Sequence, residues 1–240
     1  MTGLLYNTSV PVADGIEFKV HTLGEIFEFG EAKYYSAISA FVATPWDYMW
    51  PLHEAGIDYE ELSDFELFLG LYISLTQEII EFLFGDTFPL YRMRAAENKD
   101  TGEIVLIDPE NIECQFNKNT LFLLANTIRA IHHQKYERHE AGNAEAKRYF
   151  LENARKAAMR AKRRRGTTPK STLEPYIVSL VNAPEFPYTY ESCKEVTIYQ
   201  FMCSLNKIPT RLAWNFTMHG VHVGMIDGTK VDWQQLKWLS

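Results

Sequence analysis

The chain has 240 residues, 46% hydrophobic and 14% aromatic, with a formal net charge of −7. That apolar content supports a sizeable core in one or two domains and excludes a disordered or low-complexity chain. The charge is segregated along the chain. Residues 1–120 carry 6 Lys+Arg against 21 Asp+Glu, residues 121–170 carry 13 against 4, and residues 171–240 carry 5 against 6.

The first element is a hairpin over Val10–Val20. Asp14-Gly15 is a two-residue turn signal, and after it Ile16, Phe18 and Val20 alternate with polar residues as in a half-buried strand. Pro11 confines the first strand to an edge. Thr22 with Glu25 forms a capping box for one helix running to about Val42. Thr44-Pro45 restarts the chain as a short helix ending at Gly56. Ser63 with Glu66 caps a helix through Leu75, and Thr76–Phe84 continues or restarts it. Leu90–Glu97 and Glu103–Asp108 read as a second hairpin, followed by an irregular stretch or short third strand to Asn117. Thr120 to about His133 is helical.

Ala144–Gly166 stands apart. On a helical projection Phe150, Leu151, Ala154, Ala157, Ala158 and Ala161 share one face, and Arg148, Arg155, Lys156, Arg160, Lys162 and Arg163 the other. Arg155, Lys156, Arg160, Lys162, Arg163, Arg164 and Arg165 form a run without an acidic residue. Arginines suit a helix C-terminus, and Gly166 is the expected stop. An alanine face gains little by burial, so this helix either lies close to another backbone or projects toward an anionic partner. A membrane role is disfavoured, because the apolar face has one Phe, one Leu and no Trp.

Thr167–Thr172 reads as a linker. Beyond it come a short helix over Leu173–Val181 and a long one capped by Thr197, whose apolar stripe runs past Pro209, as in one kinked helix, and stops at Gly220. A final helix capped by Asp232 carries Trp233, Leu236 and Leu239. The chain therefore divides into an acidic helical domain with β-hairpins (1–143), a basic helix (144–166), a linker (167–172) and a C-terminal helical unit (173–240). The fold class is α+β, predominantly α-helical, with two small antiparallel hairpins.

Candidate chemistry is thin. His132, His133 and His139 lack metal-ligand spacing, as do His219 and His222 with Cys203. The odd set Cys114, Cys193 and Cys203 fits reduced thiols. Asp58, Glu60, Glu61, Asp64 and Glu66 cluster, two of them as first-turn helix acids. No phosphate-binding loop, nucleophile elbow, zinc motif or C-x-x-C occurs, so no catalytic residue, metal or cofactor is expected, and the protein is not expected to be an enzyme. Met1–Ser9 lacks the charged and apolar regions of a signal peptide, so none is expected, and Leu67–Leu75 is too short an apolar run to cross a bilayer. Exposed aromatics favour protein contacts, Trp46 and Trp50 above all.

Two segments carry a family resemblance: Ile16–Asp47, and Glu195–Ile208 with the tail Gly220–Leu239. Together they resemble structural or tail-morphogenesis proteins of tailed bacteriophages, including tail assembly chaperones. The resemblance implies a non-enzymatic assembly or virion protein, present in host cytoplasm during assembly and in some cases in the virion. Its partners would be other phage proteins or copies of itself, in a homo-oligomer. The cationic helix and Trp46/Trp50 are the expected partner-binding residues. The alternative is a nucleic-acid-binding module using the same helix on phosphates.

Overall fold

The computed structural model describes residues 3–86, 88–97, 102–164 and 170–237. Arg165, Gly166 and the first part of the expected linker lie outside the described residues, as does the side chain of Arg164. The described chain is α+β and mostly helical, with one two-stranded and one three-stranded antiparallel sheet.

Strands β1 (Ser9–Ala13) and β2 (Ile16–Lys19) pair across Asp14-Gly15, where Gly15 takes the positive φ of 71° that a tight turn requires. Ile16 and Phe18 point into the core, and Glu17 and Lys19 point out. The expected single helix over 22–42 is two helices, α1 (Leu23–Phe29) and α2 (Glu31–Val42). Gly30, at φ 101°, makes the break: its N–H closes α1 on Ile26 O, and its carbonyl accepts the Tyr34 N–H that opens α2. A 3-10 turn (Pro45–Tyr48) leads into the six-residue α3 (Met49–Glu54). Then follow α4 (Asp64–Tyr72) and α5 (Gln77–Phe84).

The second hairpin gains a third strand. β3 (Arg94–Glu97), β4 (Ile104–Asp108) and β5 (Asn111–Phe116) pair in that order. Asp108 turns the chain back by accepting the Glu110 N–H at 3.1 Å. Residues 90–92, expected to be strand, form a 3-10 turn. Helix α6 (Lys118–Ile131) follows an Asn117 cap, then come α7 (Ala144–Arg164), α8 (Glu174–Val181) and α9 (Ile198–His222).

One cluster of buried residues spans Leu4–Ile131 and Leu173–Phe201. Phe18, Phe41, Phe68, Phe84, Phe88 and Phe116 meet edge-on or tilted at its centre. Two devices fasten the C-terminal part to this core. Thr22 and Thr197, each the cap of a capping box, form an antiparallel bridge. There the Leu23 N–H donates to Val196 O at 2.9 Å and the Ile198 N–H to His21 O at 2.8 Å. Close approach requires Gly24, where a Cβ would stand 3.2 Å from Lys194 O. Second, the Glu31 carboxylate at the start of α2 accepts the Thr172 and Leu173 N–H groups at 2.6 and 3.0 Å, and the Ser171 hydroxyl. These amides at the start of α8 have no partner within their own helix.

Helix α9 is continuous through Pro209; its stripe packs on the core as far as Ile208, whereas Phe216 beyond the proline is exposed. Gly220 is not its stop. It is a helical residue covered by Ile226, and the left-handed stop is Gly224 at φ 73°. The expected terminal helix is absent from residues 231–237, which form turns. Asp232 accepts the Gln234 and Gln235 N–H groups, while Trp233 turns back to lie edge-on to Trp214 at 5.2 Å and donate to Gly228 O at 3.0 Å. Its aromatic residue packs on α9 instead of lining a helix of its own.

Candidate functional site

Among the described residues the cationic helix is anchored at one end only. Its 21 residues span about 31 Å at 1.5 Å each, while α3, against which it packs, is six residues long, or about 9 Å. The packed face is Lys147, Phe150, Leu151, Ala154 and Ala158, all half-buried. Ala157 and Ala161, expected on that face, are exposed, and every described side chain from Met159 to Arg163 is exposed. The overhang follows from length: beyond Ala158 there is no more α3 to lie on.

The anchor is electrostatic and aromatic together. Lys147 Nζ sits 2.6 Å from Asp58 Oδ2 and 2.7 Å from Glu60 Oε2, and 5.3 Å over the Tyr59 ring. These hydrogen bonds hold both carboxyls below the usual carboxylate range and push the lysine above its own. The Ala141 N–H donates to Glu60 Oε1 at 2.8 Å. Arg138 reaches Asp64 at 3.3 Å and donates to Leu62 O at 3.1 Å, and the Tyr136 hydroxyl donates to Asp64 at 3.2 Å. Glu66 is taken by its capping box with Ser63. Residues 136–147 thus strap the chain to the acidic 58–64 segment, and most of the carboxylate cluster singled out in the sequence serves this purpose.

Trp46 and Trp50, expected to meet a partner, pack within the chain. Trp46 lies edge-on to Phe150 at 5.0 Å, His139 at 4.9 Å and Tyr59 at 6.1 Å. The Arg155 guanidinium stands 5.6 Å from the Trp50 ring. Both indoles are half-buried. Lys156 pairs with Glu152 one turn back at 2.9 Å. Arg160, Lys162 and Arg163 remain, exposed and in no ion pair among the described residues. The seven-residue basic run therefore divides: its first residues engage their own chain, and its described tip does not.

The histidines diverge. His132 is buried and hydrogen-bonds the Tyr34 hydroxyl at 3.0 Å, His133 faces α9, and His139 lies on Trp46. Among the described residues no three His, Cys, Asp or Glu side chains converge as a metal site. A cleft of about 660 Å³ lies between α4 and α6. Its rim charges Arg138 and Lys118 are paired with Asp64 and Glu103. No described helix is long and apolar enough to cross a membrane.

Residues 164–240 are similar to the family described as the YomV second domain. That family is phage-derived, in keeping with the phage resemblance drawn from the sequence, and it is not specific to tails. Neither a curated protein nor a solved structure matches the chain significantly. The matched region holds α8, α9 and the tail, and the cationic overhang ends where it begins.

Sequence reasoning missed Lys147 and Arg138 as anchors. The available signal was an acidic segment, 58–66, with no basic neighbour of its own, and a basic segment downstream to supply the counter-charges. It also missed the grouping of His133, Cys203 and Asn206. Cys203 and Asn206 are three apart on one helix face, but nothing in the sequence brings His133 to them.

Proposed function

We propose that this is a non-enzymatic phage protein that works through protein–protein contacts, with the tip of α7 docking on an acidic protein surface, such as that of a neighbouring copy. The carrying observation is the exposed set Arg160, Lys162 and Arg163, in no ion pair among the described residues and held about 24–28 Å from the fixed start of the helix. The chain already shows the chemistry internally, where Lys147 lands on Asp58 and Glu60. Residues 1–120, with 21 acidic against 6 basic side chains, offer a suitable counter-surface. A role in tail assembly is the finer form of this reading, and it rests on the resemblance of Ile16–Asp47 and Glu195–Ile208.

The test is oligomeric mass by light scattering at low and high salt, for the natural chain and for a variant with Arg160, Lys162 and Arg163 changed to alanine. Contacts between exposed charges weaken with ionic strength. Self-association at low salt, lost at high salt and in the variant, is expected. A monomer throughout overturns docking between copies. Nucleic-acid binding is the competing use of the same cations. Duplex DNA binding that falls steeply with salt and vanishes in the variant, without self-association, would replace the protein-docking reading.

A further inference from the structure

Where α6 ends, the chain does something costly. His133 is the only described non-glycine residue with positive φ, at 52°. It occupies the position after the helix cap, where glycine is the usual residue, and a side chain there costs on the order of 1 kcal/mol. That conformation sends the imidazole across to α9. There Nε2 stands 3.5 Å from Cys203 Sγ, and Nδ1 stands 2.6 Å from the Asn206 side-chain amide. Tyr199, one turn before Cys203 on the same face, hydrogen-bonds the thiol and lies 5.6 Å from the imidazole ring. Nucleophile, base and orienting group are thus in contact in that order, the arrangement by which an imidazole activates a thiol. A half-turn of the Asn206 amide presents Oδ1 to the Nδ1–H and leaves the Nε2 lone pair facing the thiol.

We propose that Cys203 is an activated nucleophile that takes up an acyl group from a thioester or activated ester, with His133 as general base and Asn206 as the residue that positions the imidazole. Sγ attacks the acyl carbon as its proton passes to His133 Nε2. The tetrahedral adduct then collapses, breaking the donor's C–S or C–O bond and expelling the leaving group, which takes the proton back. The product is an S-acyl Cys203, with no change in oxidation state. Partial desolvation raises the half-buried thiol and lowers the imidazole of His133, which is exposed on its outer side, so both are neutral at neutral pH. Proton transfer therefore accompanies attack, instead of preceding it as in a thiolate–imidazolium pair. Lys207, on the same helix, adds positive charge beside both groups. Cys203 lies within the chain region matched as the YomV second domain and His133 lies before it, so the site exists only where that region docks on α6. This site is independent of the α7 reading.

The experiment treats the full chain with 4-nitrophenyl acetate, following nitrophenolate release and locating the acetyl group by peptide mass. Cys114 and Cys193 serve as internal references, and N-acetylcysteine as the free-thiol standard. General-base assistance contributes about 10²–10⁴-fold. The expected result is one acetyl group, on Cys203, with a rate at pH 7 at least about tenfold above the standard. That rate should level off once His133 is deprotonated. His133→Gly keeps the backbone conformation and is expected to lose at least tenfold, and Asn206→Ala a smaller factor. A Cys203 rate that climbs about tenfold per pH unit from pH 6 to 8, as for an unassisted thiol, and is unchanged in His133→Gly, overturns the proposal. So does labelling spread evenly over the three cysteines.

Discussion

Replacing Lys147 with methionine should release the base of α7 while keeping most of the side chain's apolar stem. The ammonium makes two contacts, at 2.6 and 2.7 Å, and its side chain is 25% exposed, against 37% for Asp58 and 27% for Glu60. Open surface pairs are worth about 0.2–1 kcal/mol each, and the partial burial and double contact place this cluster near the upper end. The loss should be about 1–2 kcal/mol, because the two carboxylates are left side by side with solvent access to relieve them. The aromatic contacts of Phe150 with Trp46 remain, so the effect should be local. Amide hydrogen exchange of residues 148–158 is the direct assay, and 1–2 kcal/mol corresponds to protection lower by a factor of about 5–30. Protection elsewhere in the core should be unchanged. In a background with Asp58→Asn and Glu60→Gln the lysine substitution should have little further effect. The pH dependence has a definite sign. The folded carboxyls titrate below their unfolded value near 4, so the anchor is complete above about pH 4 and is lost as pH falls through the lowered values. Unchanged exchange in α7 for Lys147→Met would show that the apolar stripe alone seats the helix and would refute the electrostatic account.

Two further outcomes are expected. Burial holds His21 and His132 neutral, each lowered to about 4 from an ordinary 6.5. The unfolded chain therefore binds protons first. Stability is full above pH 6.5 and falls as pH drops toward 4, by roughly 2 kcal/mol per histidine at pH 5. Urea titrations at pH 7 and 5 measure the difference, and His132→Gln should remove about half of it; an unchanged slope would contradict the assignment. Glu31→Ala should leave the Thr172 and Leu173 amides without their acceptor and cost about 1–2 kcal/mol. Limited proteolysis near 170–173 should then become faster while the core around Phe41 stays resistant, and an unaltered cleavage rate would rule out the fastening role.

Local signals written in adjacent residues were legible from the sequence alone. The Asp14-Gly15 turn, the capping boxes at Thr22 and Ser63, the Thr197 cap and the run of helix formers from Ala144 each depend on contacts within a few residues. The helical period of the C-terminal stripe likewise carried α9 past Pro209. Tertiary structure decided what those elements touch. Gly30 could break a helix or be tolerated in one, and only the packing of α1 against the 192–195 turn and of α2 on α6 selected the break. The sequence showed that 144–165 is cationic, but the short length of α3 determined which cations are covered and which overhang. Likewise Trp46 and Trp50 read as surface aromatics until Phe150 and Arg155 arrived from about a hundred residues away. Periodicity and capping are properties of neighbours in the chain. Burial, ion pairing and the meeting of His133 with Cys203, 70 residues apart, depend on the path of the whole backbone, and no local pattern encodes that.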